Sequence, residues 1–356
     1  MAASAALFGF DPPDPEVDDV RRIAAAHWGI DGTPDRLRGE RSHNTRLTTS
    51  TGAGWILQIQ SASEDRASID LQTAAMVHLE RVAPDVPASR VVPTIDGSHL
   101  AEVRIGSSVH LARLVTFLPG VTFDPSEPLP LRAFRDIGDL VGRVAVALAD
   151  FVHPAADHFM AWDLANGLVV DPRLRTELST DGRAAVDAVD ARLCAAVDAM
   201  SNLPRRTIHN DGHAGNLVRA DPASATVTGI IDFGDVVRTV TAADVAIIAE
   251  SFAPDHPDPA GVLAATTAGY HRRVALSPAE IGALTELVLV RAALSVLLAE
   301  FQIRHAPHLA AAAAEHLPDV IDRLRRWSAL DAAAVTATVI DAIDTAAADD
   351  EPERPR

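Results

Sequence analysis

The chain has 356 residues, of which 48% are hydrophobic and 22% charged, and this composition is typical of a globular protein with one large or two moderate domains. Its net charge of −18 argues against a nucleic-acid partner, which would need a basic face. Cys194 is the single cysteine, so an internal disulfide and a cysteine-rich metal site are excluded. The N-terminus has no basic region of the secretory kind, so we expect a cytoplasmic location.

The basic residues are all of one kind. The sequence contains no lysine, and every one of its 31 Lys and Arg residues is arginine. Codon bias accounts for this usage without any functional cause. The chemical consequence is that no function of this chain can depend on a lysine ammonium group.

The first third of the chain combines helices with short strands. Periodicity and charge placement predict helices over residues 14–30 and 63–82. Glycine punctuation and β-rich composition predict strands, the first three forming an antiparallel meander. Pro119 and Gly120 end the last strand. The strand candidates are residues 34–40, 44–52, 54–60, 99–105 and 108–118.

The remainder is mostly helical. Residues 277–301 begin with a capping box, in which Ser277 is followed by Pro278 and Glu280. Charged residues interrupt this apolar segment, so we predict a buried core helix and no membrane span. The other long helices are predicted over residues 129–152, 308–327 and 330–346.

These elements predict an α+β, two-lobed architecture. Residues 1–115 would form a small antiparallel-sheet N-lobe, and residues 116–345 a larger, mainly helical C-lobe. We expect residues 346–356 to be a disordered tail. Because clefts between lobes are preferred ligand sites, the two lobes would share one.

The most informative segment runs from Thr207 to Val236. It contains His209-x-Asp211, then Asn216, and an apolar strand that ends at Asp232-Phe233-Gly234. Two short strands joined by a turn would bring Asp211, Asn216 and Asp232 to one end of a hairpin.

These residue types suit phosphoryl transfer, which requires a positioned acceptor and cations that neutralise phosphate charge. Asn216 and Asp232 offer the hard oxygen ligands that Mg²⁺ prefers. Asp211 is then free to accept the proton of an attacking hydroxyl, as a catalytic base. His209 is placed with Asp211 among the catalytic residues, and a brace that holds the loop through hydrogen bonds is favoured over a chemical role.

The two linked blocks, HNDGHAGNLV and IIDFGDVVRTVTAADVA, resemble the catalytic and metal loops of the protein-kinase-like superfamily. Within it they resemble the aminoglycoside phosphotransferase and choline kinase-like family, including its hydroxylysine kinase-type members. His213 matches the second histidine of the family's H-x-D-x-H-x-x-N motif, and Asp244 begins its later D-x-A, where we expect a helix cap. The resemblance implies ATP and Mg²⁺ as cofactors and a protein-kinase-like fold.

The resemblance also implies a nucleotide site in the N-lobe. Ser42 and Asn44, after Gly39, match the loop that covers the phosphates. Backbone groups of the strand at Thr116, Phe117 and Leu118 match the adenine-binding hinge.

The family's lysine is replaced here by Gln58, in Leu57-Gln58-Ile59. Its usual acidic partner aligns best with Gln72, so we expect a neutral amide pair, with Glu64, Asp65 and Asp70 left as alternatives. The missing positive charge would come from Mg²⁺, from Arg41 or Arg46, or from no group at all.

On the acceptor side, Trp162-Asp163 matches a Trp-Asp of the hydroxylysine kinase-type members. An indole face and a carboxylate would suit an amine-bearing substrate, whereas a core tryptophan beside a helix-capping aspartate is the structural alternative. We place His213 and Asp235 on the same side.

The sequence therefore predicts an ATP- and Mg²⁺-dependent kinase that phosphorylates a hydroxyl of a small molecule, with no nucleic-acid or membrane partner. Hydroxy amino acids, amino alcohols, amino sugars and aminoglycosides stay open as acceptors, and GTP stays open as donor. A catalytically impaired pseudokinase and a nucleotidyl transferase on the same fold are the alternatives.

Overall fold

The computed structural model describes residues 12–37, 39, 41–252 and 256–350. They divide into two compact units. The first contains the residues up to Pro119 together with His153–Ala155, and the second contains Gly120–Val152 and the residues from Ala156 onward. This division falls four residues after the boundary predicted from the sequence.

The first unit is a six-stranded antiparallel sheet with two helices. The sheet order is β1-β2-β3-β6-β4, and β5 also pairs with β6. The predicted meander of the first three strands is confirmed by their antiparallel register. The elements are α1 (Val17–Trp28), β1 (Thr33–Leu37), β2 (Ser42–Thr48), β3 (Gly54–Gln60), α2 (Arg66–Val82), β4 (Val91–Val92), β5 (Ala101–Ile105) and β6 (Ser108–Thr116).

The two faces of this sheet differ in chemistry because side chains alternate along each strand. One face carries the buried Leu47, Leu57 and Leu114, which share a core with α1. The opposite face carries polar side chains, since Gln58 on β3 is paired with Asn44 on β2 and with Arg113 on β6. Residues opposite one another in a sheet share a face.

The second unit is mainly helical and contains two small sheets, ordered β7-β9-β10 and β8-β11. Its elements are β7 (Val121–Thr122), α3 (Leu131–Ala147), α4 (Pro172–Arg175), α5 (Thr180–Asp187), α6 (Asp190–Met200), β8 (Arg205–Ile208), β9 (Leu217–Arg219), β10 (Val227–Ile230), β11 (Val237–Val240), α7 (Ala243–Phe252), α8 (Pro259–His271), α9 (Pro278–His305), α10 (Pro307–Ser328) and α11 (Ala332–Asp350).

Helix α9 is the long core helix of this unit. Its predicted capping box is confirmed: the Ser277 hydroxyl accepts from the Glu280 amide at 3.3 Å, and the Glu280 carboxylate accepts from the Ser277 amide at 2.8 Å. Its length and apolar composition would allow it to cross a membrane, but 78% of the apolar window is buried inside the structure. The prediction of a core helix is therefore confirmed.

The predicted start of a disordered tail at residue 346 is wrong. Helix α11 continues to Asp350. Ala346, Ala347 and Ala348 extend it because alanine has the highest helix propensity. The rest of the predicted tail lies outside the described residues.

Helices α3 and α8 approach each other closely at two glycines. A Cβ on Gly269 would overlap the carbonyl oxygen of Arg135, and a Cβ on Gly138 would overlap that of Thr266. Backbone lies on both sides of each contact, so a side chain there would force the helices apart.

We expect Gly269→Ala to lower the free energy of unfolding by about 1–3 kcal/mol, because overpacking displaces α8 from α3. Denaturant unfolding measures the change. Gly282→Ala in α9 is the matched control: nothing lies within 4 Å of its added Cβ, so helix propensity should stabilise it by up to about 1 kcal/mol. Equal effects at the two positions would contradict the close-approach explanation.

Candidate active site

A short hairpin brings the ends of the catalytic segment together. Strands β9 and β10 pair antiparallel, with Leu217 opposite Ile230, and the amide of Ile231 donates to the carbonyl of Asn216 at 2.9 Å. This confirms the hairpin predicted from the sequence. It places Asp232 beside Asn216 because Ile231 is its chain neighbour.

Asn216 is bound to Asp211 by its side-chain amide. Its Nδ2 donates to the Asp211 carboxylate oxygen Oδ2 at 2.7 Å and to the Asp211 carbonyl at 3.0 Å. With the nitrogen committed, Oδ1 is the atom of Asn216 that could ligate a metal. The bond also orients the Asp211 carboxylate.

Asp232 has a left-handed backbone conformation. Its φ is +62°, which is rare outside glycine and is found where the surroundings impose it. Its Oδ1 accepts the amide of Gly234 at 3.0 Å, which fixes the carboxylate. Asp235, predicted on the acceptor side, is buried in the loop that follows. The contact of Asp235 with a substrate stays a prediction.

Asn216 and Asp232 together fit Mg²⁺, since one carboxylate and one amide oxygen are hard donors. Among the described residues, no group of three His, Cys, Asp or Glu side chains could hold a metal alone. A Mg²⁺ ion here would therefore take its other ligands from phosphate and water, as Mg²⁺ commonly does.

His209 acts as a brace for this loop. Its Nδ1 accepts from the Asp211 amide at 3.3 Å, and its Nε2 faces the Ile231 carbonyl at 3.2 Å. These contacts select the neutral tautomer protonated on Nε2. Complete burial lowers the pKa of His209 to about 4. His209 is therefore a positioning residue, which corrects its assignment as catalytic and supports its assignment as a brace.

His213 lies beside the catalytic carboxylate. Its Nε2 is 3.6 Å from Asp211 Oδ2, and its Nδ1 accepts from the Gly215 amide at 3.0 Å. Burial, then the nearby charge of Arg291, lower the pKa of His213 to about 4, so the ring is neutral at pH 7. The ring is nevertheless not sealed from solvent, since 38% of the side chain stays accessible.

The structure contradicts the prediction that Trp162 and Asp163 bind a substrate amine. The Arg291 guanidinium lies over the Trp162 ring, 4.4 Å from its centroid, so a protein cation already occupies this indole face. Asp163 is buried, caps a short 3-10 helix through the Ala165 amide and accepts from the Thr239 hydroxyl. Asp163 is the structural cap left open as the alternative, and its predicted contact with a substrate amine is wrong.

In the first unit, Gln58 is bonded to an arginine that the sequence did not indicate. Arg113 Nε donates to Gln58 Oε1 at 2.7 Å, and its Nη1 lies 3.4 Å from the Thr73 hydroxyl. Arg113 is only 3% exposed. Gln72 donates instead to Glu64, at 3.1 Å. The expected neutral pair of Gln58 and Gln72 is therefore wrong, because each amide faces a charged side chain.

Of the other predicted nucleotide residues, Ser42, Asn44 and Arg46 lie on β2, and Thr116 to Leu118 lie at the end of β6 and just after it. Ser42 donates to Asn44 Oδ1 at 2.9 Å, and the guanidinium of Arg46 stacks on the ring of Phe117 at 3.8 Å. The amides of Thr116 and Phe117 already donate to the carbonyls of Arg90 and Gly54. Of the three predicted hinge residues, Leu118 is therefore the one whose amide is left to meet adenine.

A model of the phosphotransferase enzyme family matches residues 35–281. The chain belongs to the phosphotransferase enzyme family. It is a small-molecule phosphotransferase. The hydroxylysine kinase of Danio rerio is 26% identical over 307 residues, covering 82% of this chain and 84% of the relative. The hydroxylysine kinase of Bos taurus is 27% identical over 282 residues, covering 74% of each.

Solved structures show the fold of this phosphotransferase to be protein-kinase-like, as predicted. An amicoumacin kinase in complex with AMP-PNP, Ca²⁺ and Ami superposes with a TM-score of 0.68 at 15% identity, covering 89% of this chain and 96% of that one. A microcompartment-associated aminopropanol kinase superposes with a TM-score of 0.69 at 17% identity, covering 91% and 99%.

Asp244 has a role in the phosphotransferase that the sequence did not reveal. It was expected to cap α7, but its buried Oδ1 accepts from the amide of Asn210 at 2.9 Å. Asn210 has a φ of +62° and directly precedes Asp211. Asp244 therefore holds the backbone turn that presents the catalytic carboxylate.

We expect Asp244→Asn to flatten the pH dependence of stability. Burial raises the pKa of Asp244 to about 7 from its ordinary 3.8. The folded state therefore binds the proton more tightly, and the carboxyl group costs the wild type stability as pH rises from about 4 to 7, by at most about 4 kcal/mol.

Asparagine retains the acceptor oxygen for Asn210 but does not titrate. Urea unfolding of both proteins between pH 4 and 8 measures the difference, which should change across that window and level off above pH 7. Parallel curves would contradict the raised pKa.

Proposed function

We propose that this phosphotransferase is a kinase that uses ATP and Mg²⁺ to phosphorylate a hydroxyl of a small, amine-bearing molecule. The observation that carries the proposal is the bond from Asn216 Nδ2 to the Asp211 carboxylate, with Asp232 brought beside Asn216 by the hairpin. One catalytic carboxylate and two oxygen donors are the protein groups that such a reaction needs.

In the proposed mechanism, Asp211 accepts the proton of the acceptor hydroxyl as its oxygen attacks the terminal phosphorus of ATP and ADP leaves. Asn216 holds the carboxylate in position, and the neutral His209 fixes the loop backbone behind it. Asn216 and Asp232 would hold Mg²⁺, which neutralises phosphate charge when bound.

Arg113 is the candidate for the positive charge that a lysine-free chain must supply from another residue. It lies opposite Gln58 in the sheet register and is bonded to its side chain. A guanidinium has more donors than an ammonium and stays charged when buried. We propose that Arg113 acts on the nucleotide phosphates, either directly or by aligning the Gln58 amide. This assigns to Arg113 the role that the sequence left open for Arg41 or Arg46.

The relatives support an acceptor that carries both a hydroxyl and an amine. Hydroxylysine kinases and an aminopropanol kinase are named for such acceptors. We therefore propose hydroxy amino acids, amino alcohols and amino sugars as the compounds to test first, with aminoglycosides beside them.

We expect ADP release in the presence of Mg²⁺, ATP and the correct acceptor, and a fall in kcat of about 10²- to 10⁴-fold in Asp211→Asn, because the proton acceptor is lost. A coupled assay measures ADP release. Asp157→Asn is the matched control, since Asp157 forms only an exposed ion pair with Arg238, and its kcat should equal that of the wild type.

Two outcomes would contradict the kinase function, and a third would change the phosphate donor. Nucleotide binding without turnover of any acceptor would identify a pseudokinase. Mass spectrometry that finds AMP joined to the product would identify a nucleotidyl transferase. Turnover with GTP in place of ATP would change the donor only.

For the cation, we expect Arg113→Gln to raise the KM for ATP by roughly 10- to 100-fold, since bonds to charged groups contribute about 1.5–3 kcal/mol. Gln58→Lys alone should also weaken ATP binding, because it places a second positive charge beside Arg113. The same change in the Arg113→Gln background should restore part of the loss.

Steady-state kinetics with varied ATP measure these effects, and unfolding curves check that each variant is folded. Arg66→Gln, which removes only an exposed pair with Glu102, is the control. An unchanged KM for ATP in Arg113→Gln would remove this residue from the nucleotide site.

A further inference from the structure

A buried cluster of two arginines and one glutamate lies in the second unit. Glu250 Oε1 accepts from Arg323 Nη1 at 3.2 Å, and its Oε2 is 3.8 Å from Arg291 Nε. The side chain of Glu250 is 3% exposed, that of Arg291 9% and that of Arg323 20%. Both guanidinium groups stay protonated, so the cluster carries a net charge of +1.

The cluster has more donors than acceptors. Within the described part of the chain, Arg291 Nε and Nη1 and Arg323 Nε are buried and have no hydrogen-bond partner. Leaving such a donor unsatisfied costs about 1–3 kcal/mol, and more for a charged group. Native structures rarely keep several unsatisfied donors together unless another molecule satisfies them.

The position of the cluster connects it to the reaction. The hydroxyl of Ser251, next to Glu250, accepts from the amide of Ala214 at 3.0 Å. Ala214 follows His213, whose ring is 3.6 Å from the Asp211 carboxylate. Arg291 also lies against Trp162. The guanidinium pair is therefore held close to the loop that carries His213 and Asp211.

The groups around the cluster are partly exposed. His213 and Arg323 each keep part of their side-chain surface exposed, and Trp162 is only half-buried. The indole covers one face of the Arg291 guanidinium, so a ligand would meet its edge, where the N–H groups are. Because Nε and Nη1 are buried in this structure, a shift of the side chain would have to open that edge first. A planar anion that accepts two parallel hydrogen bonds matches that edge.

We propose that Arg291 and Arg323 bind a carboxylate of the acceptor, so that the substrate is a hydroxy amino acid. The inference rests on the proposed kinase function and narrows its acceptor. The sequence predicted that Trp162 would contact a cationic group of the substrate. Here the protein itself supplies the cation, Arg291, so the site would select an anionic group of the substrate. The carboxylate would satisfy the free donors and neutralise the cluster.

The test compares acceptors that differ only by the carboxylate: 5-hydroxylysine with 1,5-diaminopentan-2-ol, threonine with 1-aminopropan-2-ol, and serine with ethanolamine. We expect the wild type to prefer at least one hydroxy amino acid over its decarboxylated partner by roughly 10- to 100-fold in kcat/KM, the worth of one charged hydrogen-bond pair. Arg291→Gln should reduce that ratio towards one through KM, and Arg291→Lys should restore part of it.

Arg192→Gln is the matched control, because it removes an arginine–glutamate pair with Glu286 elsewhere on α6 and α9. It should leave the ratio unchanged. A wild type that prefers the decarboxylated acceptors, or an Arg291→Gln protein that loses both kinds of acceptor equally, would overturn the inference.

Calorimetric binding of the same compounds separates this inference from the kinase function. Arginine-dependent binding of a hydroxy amino acid without phosphoryl transfer would support the carboxylate site and contradict the function. Turnover of amino alcohols alone would support the function and contradict the site. The absence of both binding and turnover across the three pairs would overturn the inference.

Discussion

The buried hydrogen bond from the Asn210 amide to the Asp244 carboxylate is the constraint on which the catalytic loop depends. A left-handed backbone at a residue other than glycine costs about 1 kcal/mol or more, and the loop contains one at Asn210 and another at Asp232. Neither conformation would persist without a partner that imposes it. The raised pKa of Asp244 reflects the free-energy cost of this arrangement. The carboxyl group is buried away from water, and in that position it holds the backbone that precedes Asp211.

The polar face of the six-stranded sheet shows how a charge can be carried by a neighbouring strand. A lysine on β3 would bring its charge directly, whereas in this chain the positive charge beside Gln58 belongs to Arg113 on β6, and Gln58 accepts its Nε–H. Glutamine suits this arrangement because it offers an acceptor oxygen where lysine would offer only donors and a second positive charge. The acceptor oxygen of Gln58 is therefore complementary to the Nε–H donor of Arg113, and the two residues form a hydrogen-bonded cross-strand pair.

Local pattern predicted most of the fold and the order of the catalytic residues, since alternation, capping and turn chemistry act between near neighbours. The hairpin, the meander and the cap of α9 are of this kind. The contacts that sequence reasoning missed join distant residues: Gln58 and Arg113 are 55 residues apart, and Asn210 and Asp244 are 34 apart. Only the strand register and the helix packing bring such pairs together, so spacing along the chain contains no signal for them.

The proposed acceptor site illustrates the difference between the net charge of the chain and the local charge of a site. The chain carries −18 overall, which favours cationic ligands at long range, but solvent screens exposed charges beyond about 8 Å. Within that distance the nearest groups decide, and at Trp162 the nearest charge is the guanidinium group of Arg291. A site of this sign gives no advantage to aminoglycosides or amino alcohols, which lack an anionic group. It would select instead the zwitterionic members of the same series, because they alone present a carboxylate to the buried donors.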